Sequence, residues 1–151
     1  MMRSLLLKLV VEQAIAAEER AYRFYGSVLE KGLAGEAEEL VRRLRAEELA
    51  HRLRLEEVQK RGELGRLAVT EAGELRDLEA PRGRWPKLGP DSSREQVLEA
   101  ALLKEKQAWA FYRVLQERSS LAFLKELFAA LAAEERRHVL WVEELLGKGG
   151  A

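Results

Sequence analysis

The chain contains two histidines, and each closes a Glu-x-x-His motif: Glu48 with His51, and Glu135 with His138. A further glutamate precedes each motif, Glu18 before the first and Glu105 before the second. The two triplets stand at one constant offset, since 105 − 18, 135 − 48 and 138 − 51 all equal 87. A spacing of three on a helix puts carboxylate and imidazole on one face, one turn apart, where they can share a metal ion. Four carboxylates and two imidazoles, with each half supplying Glu plus Glu-x-x-His, form the ligand set of a carboxylate-bridged two-metal centre inside a helical bundle. Oxygen donors with one imidazole per metal suit iron or manganese, and zinc fits as well.

Such a set works only if four helices hold it, and the pattern supplies four. Helical apolar spacing runs from about Ser4 to Lys31 and breaks at Gly32 and Gly35. A second run extends from Glu36 to Arg61 and stops at Gly62. Residues 62–92 are the connector, and all three prolines (Pro81, Pro86, Pro90) lie there. Thr70 to Leu78 reads as a short helix within it. Ser92-Ser93-Arg94-Glu95 reads as a capping box opening a third helix that runs to Arg118. After a turn at Ser119-Ser120 the fourth helix continues to Leu146 and ends at Gly147. Adjacent antiparallel helices need only ~2–8 linking residues, so the long connector predicts a crossover along the bundle; a flexible linker between two separate hairpins is the alternative. The expected architecture is therefore all-α: an antiparallel four-helix bundle of two duplicated hairpins, 4–61 and 93–146, joined by the crossover 62–92 in a single domain.

The heptad line through each candidate ligand is otherwise apolar. It reads Leu7, Val11, Ala14, Glu18, Ala21, Tyr25, Val28 in the first helix and Ala37, Val41, Leu44, Glu48, His51, Leu55, Val58 in the second. The third gives Leu98, Ala101, Glu105, Ala108, Tyr112, Leu115, and the fourth Leu124, Phe128, Leu131, Glu135, His138, Val142, Leu145. All six ligands thus face the core. The midpoint of 18 and 48 is Leu33 and that of 105 and 135 is Ser120, both in expected turns, so each half-site meets at one level. Neighbouring Glu19, Glu47 and Glu134 lie about 100° off these lines and are expected as solvated surface charges. No Lys or Arg lies on the four lines, which leaves two divalent cations as the expected balance for four buried carboxylates.

The repeat extends further. Glu18, Ala21, Tyr22, Phe24 and Tyr25 parallel Glu105, Ala108, Trp109, Phe111 and Tyr112. Tyr25 and Tyr112 share the ligand lines, placed either to donate hydrogen bonds to carboxylates on facing helices or simply to pack in the core. Phe24, Phe111, Tyr22 and Trp109 are expected to pack.

Composition narrows the function classes. Twenty-six basic residues balance twenty-six acidic ones in 151 residues, so no charge excess argues for nucleic acid or an anionic membrane. The absence of cysteine excludes disulfides, thiolate zinc sites and iron–sulfur centres within these residues. No apolar run reaches the ~20 residues of a membrane span. Met1 to Ala17 superficially resembles a signal peptide, but Lys8 and Glu12 interrupt its apolar stretch; it is read as structural and the expected location is the cytoplasm.

On these residues the chain resembles the ferritin-like superfamily, and within it the di-iron domain of the rubrerythrin family. The resemblance covers both hairpins. It implies a non-haem di-iron centre, cycling between Fe(II) and Fe(III), that reduces hydrogen peroxide or oxygen, with Glu18 and Glu105 as the single carboxylates and Glu48–His51 and Glu135–His138 as the paired ligands. Two departures stand out. The four-cysteine rubredoxin-like domain of rubrerythrins is absent, which implies an external electron donor such as a rubredoxin-like protein. Ala108 occupies the position where rubrerythrins carry an additional Glu, and the remaining symmetric set is closer to a bacterioferritin ferroxidase centre. The family analogy also implies a homodimer. Ferroxidase or iron-handling chemistry, hydroxylation of an organic substrate, and a non-enzymatic helical scaffold with structural metal are the competing functions.

Overall fold

In the computed structural model, residues 2–60, 85–119 and 122–149 are described. They form four helices: α1 (Met2–Glu30), α2 (Gly35–Lys60), α3 (Arg94–Arg118) and α4 (Ala122–Gly149). Among the described residues there is no strand, and no helix is long and apolar enough to cross a membrane. The expected helix at Thr70 to Leu78 lies outside the described residues, as does Ser120.

The α1–α2 turn depends on two glycines. Gly32 and Gly35 have φ values of 86° and 67°, a left-handed conformation that costs other residues about 1–2 kcal/mol. The start of α3 differs from the expected register by one residue. Ser93, not Ser92, is the N-cap, and its partner is Gln96 rather than Glu95. The Ser93 hydroxyl accepts from the Gln96 amide at 3.1 Å while the Gln96 side chain accepts from the Ser93 amide at 2.8 Å. Ser92 is engaged instead by the preceding turn, its hydroxyl accepting from Gly89 N–H at 2.8 Å. At the far end α4 continues through Gly147 to Gly149, where helix ends commonly vary by a residue or two.

α1 packs on α2 and α3 on α4, with α2 also meeting α4. Every heptad-line residue whose side chain is described is buried. The apolar members gather into two clusters. One joins Val11, Leu55, Leu115, Phe128 and Leu131; the other joins Val28, Leu44, Leu98, Ala101 and Val142. A fully buried Leu or Phe contributes about 1.5–3 kcal/mol, so these clusters stabilise the bundle at both ends. The level between them carries the glutamates and histidines. The described end of the connector lies on the α1–α3 side: Trp85 packs on Phe24 at 5.2 Å and donates to Gln107 at 3.1 Å, and Lys31 Nζ donates to the Leu88 carbonyl at 2.7 Å.

Candidate metal centre

Each helix contributes to the middle level what its heptad line places there: Glu18 from α1, Glu48 and His51 from α2, Glu105 from α3, Glu135 and His138 from α4. All six are buried. Their donor atoms fall into two overlapping groups, each with its atoms within 4.8 Å of one another: Glu18, Glu48, His51 and Glu135, and Glu48, Glu105, Glu135 and His138. The glutamates of the two Glu-x-x-His motifs are shared by both groups, whereas Glu18 and Glu105 each belong to one. The imidazoles lie nearly parallel, 5.8 Å apart with a 9° interplanar angle. Nδ1 faces inward in both rings, 3.0 Å from Glu135 for His51 and 3.2 Å from Glu105 for His138.

Around this cluster the pseudo-twofold repeats itself in hydrogen bonds. Tyr25 donates to Glu105 at 2.6 Å and Tyr112 donates to Glu18 at 2.5 Å, each crossing between α1 and α3. Burial first, then the adjacent carboxylates, raises both phenols well above their ordinary range, so they remain hydrogen-bond donors.

Two residues expected at the surface take part. Glu47 reaches from α2 to His138 Nε2 at 2.5 Å, and Glu134 reaches from α4 to within 3.4 Å of His51 Nε2. Both side chains are only 27% exposed. Glu134 is also gripped by Arg54 at 2.7 Å. Their positions off the heptad lines point them across the hairpin–hairpin seam rather than outward, because each helix has two neighbours in a bundle. The same offset of 87 relates 47 to 134 and was the available signal. Glu19, by contrast, pairs with Arg23 at the surface.

The expectation that no cation neutralises the carboxylates is overturned by Lys104. This residue is buried, with Nζ 3.0 Å from Glu48 and 3.1 Å from Glu105. It belongs to a second buried line on α3, with Val97, Ala100 and Phe111, next to the one carrying Glu105. A helix packed against two neighbours buries more than a single heptad line.

The charges are strongly coupled. Burial, reinforced by Glu18, raises Glu48 to about 8, and burial with Glu105 raises Glu135 likewise to about 8. Burial works against a charged Glu105 too, but Lys104 together with the Glu135 and His138 contacts outweighs it and holds that carboxyl well below its ordinary range. Burial alone would lower His51; hydrogen bonds to Glu134, Glu135 and Glu18 lift it to about 12 instead. The His51 contact lowers Glu134 to about 2. Without metal, the cluster therefore balances its carboxylates with retained protons, Lys104 and protonated imidazole.

The donor set fits a metal. Glu18 Oε2, Glu48 Oε1 and Glu135 Oε2 are buried and without a hydrogen-bond partner among the described residues, a costly arrangement for carboxylates. All three belong to the overlapping groups. Inward Nδ1 atoms, with outward nitrogens beside Glu47 and Glu134, reproduce the carboxylate–histidine–metal arrangement in which the outer carboxylate fixes ring orientation. A cavity of about 10 Å³, roughly one water molecule, adjoins Glu18 and Glu48. Ala108, at the position where an additional Glu was weighed, lines that cavity with Lys104 and Trp85.

Residues 96–151, which carry Glu105, Glu135 and His138, match the family model described as Rubrerythrin. No curated protein and no solved structure matches the chain.

Proposed function

We propose, from the rubrerythrin-family match of the second hairpin, that the protein is a non-haem di-iron oxidoreductase reducing hydrogen peroxide or oxygen with an external electron donor. The observation that carries this reading is the pair of overlapping four-donor groups sharing Glu48 and Glu135, each with one inward imidazole nitrogen. Glu18, Glu48, His51 and Glu135 would hold one ion, and Glu48, Glu105, Glu135 and His138 the other. Iron bound there would supply the two electrons that H2O2 + 2e− + 2H+ → 2H2O requires.

The protein's own groups manage charge and protons. Glu48 and Glu135, both raised to about 8 in the metal-free protein, hold protons that metal binding would release. Tyr25 and Tyr112 hold one oxygen of Glu105 and Glu18, leaving the other for a metal. Glu47 and Glu134 keep Nδ1 aimed inward. The small cavity beside Glu18 and Glu48 is about the size of one water molecule and lies next to the ligand cluster. These 151 residues hold no cysteine, and we assign the reductant to a separate rubredoxin-like protein. Ala108 favours ferroxidase chemistry as the second reading, since no extra carboxylate stands there.

The test is anaerobic loading with two Fe(II) per chain, followed by oxidation with H2O2 and, separately, O2. Much faster reaction with peroxide supports the peroxidase; comparable or faster reaction with oxygen supports the ferroxidase. His51→Ala and His138→Ala should each halve tight iron loading and abolish fast oxidation. Full loading with normal turnover in both variants would overturn the assignment.

A further inference from the structure

The pseudo-twofold relating the two half-sites is broken at one buried charge. The position 87 residues before Lys104 is Ala17, so the ammonium in direct contact with Glu105 has no counterpart at the equivalent position of α1. Lys104 Nζ touches Glu48 at 3.0 Å and Glu105 at 3.1 Å, and lies 4.8 Å from the centre of the Tyr25 ring. Both carboxylates belong to the donor group that contains His138, whereas the group that contains His51 includes only Glu48.

We propose that Lys104 is a built-in counter-ion that makes the two metal positions unequal: the Glu18/Glu48/His51/Glu135 position fills first and tightly, and the Glu48/Glu105/Glu135/His138 position fills second and weakly, as the ammonium withdraws. This deepens the metal-centre reading and rests on it. Charge counting gives the reason. Once metal binding has released the protons of the cluster, four carboxylates, neutral imidazoles and Lys104 sum to a formal −3, which one dication brings to −1 and a second to +1. Without Lys104 the series would be −4, −2 and 0. The second dication thus enters a nearly neutral site and must also displace an ammonium from two buried carboxylates, where such interactions are far stronger than at a surface.

Room for that displacement is present. The cavity of about 10 Å³ is bounded by Lys104, Glu18 and Glu48, with the small side chains of Ala17, Ala21 and Ala108 on its wall. It is about the size of one water molecule, enough for an ammonium group whose stem stays in place.

The experiment is calorimetric titration of metal-free protein with Co(II), comparing wild type with Lys104→Met. Wild type should bind two equivalents in steps separated by more than tenfold in affinity. In Lys104→Met the second step should tighten at least tenfold, with the first changing less. A second measurement on the wild type guards against a folding defect in the variant: with one equivalent of Co(II), the anomalous density should lie on the Glu18–His51 side while Lys104 stays on Glu48 and Glu105. Two equal steps in wild type, an unchanged separation in Lys104→Met, or first density beside His138 would overturn the proposal while leaving the metal centre standing. Failure of wild type to bind Co(II) at all would overturn both.

Discussion

Glu47 and Glu134 offer a sharp test of how the imidazoles are held, because the structure predicts unequal effects from two symmetry-related substitutions. An outer carboxylate on a metal-bound histidine is worth about 10–100-fold in metal affinity, or roughly 1.4–2.7 kcal/mol. Glu47 stands 2.5 Å from His138 Nε2, and its alternative partner, Arg43, is 3.7 Å away. Glu134 stands 3.4 Å from His51 Nε2 and is held more closely by Arg54, at 2.7 Å. Glu47→Ala should therefore approach the upper end, ~100-fold at the position served by His138, and Glu134→Ala the lower end, ~10-fold at the position served by His51. Calorimetric titration with Co(II) at fixed pH and ionic strength reads both. Glu38→Ala is the control, since its i,i+4 pair with Arg42 is exposed and worth little. Affinities within twofold of the control for both variants, or a larger loss from Glu134→Ala, would refute the orienting role inferred from these distances.

The metal-free protein should lose stability as pH rises. Glu48 and Glu135, raised by burial to about 8 from an ordinary 4.5, keep protons in the folded state that the unfolded chain has already released. Folding then binds protons between about pH 4.5 and 8, so the stability these two groups contribute is greatest at the acid side of that window and falls through it. His51 acts in the same direction above 6.5, its folded value lying near 12. Thermal melting in the presence of a chelator should drop by roughly 10–25 °C between pH 5.5 and 8; a rise would contradict the charge distribution described. Tyr112→Phe removes the hydroxyl that satisfies Glu18 Oε1 and should destabilise the metal-free protein by about 1–3 kcal/mol, read by urea denaturation. No change there would make the phenol a packing group only.

Much of this molecule is local in origin. Heptad lines at helical spacing, with glycines at 32 and 35, contain enough information for four helices and for the face each one buries, because helix periodicity is a property of neighbouring residues. The six glutamates and histidines could be found the same way, since a three-residue spacing and a constant offset are visible without contacts. Ser93 shows the limit of local patterns: two adjacent serines each fit a capping box, and the turn through Gly89 settles which one caps the helix. Lys104, Glu47 and Glu134 show a deeper limit. A single heptad line per helix treats everything beside it as solvent-facing, whereas a bundle helix has two neighbours and buries the flanks as well. Whether a charged residue 100° from the line meets water or a histidine on another helix depends on which helix stands next to it and at what height. Sequence spacing thus places the ligands along each helix, while helix–helix packing places the counter-ion beside one half-site and the outer carboxylates behind the imidazoles, because those contacts join residues as many as 91 positions apart.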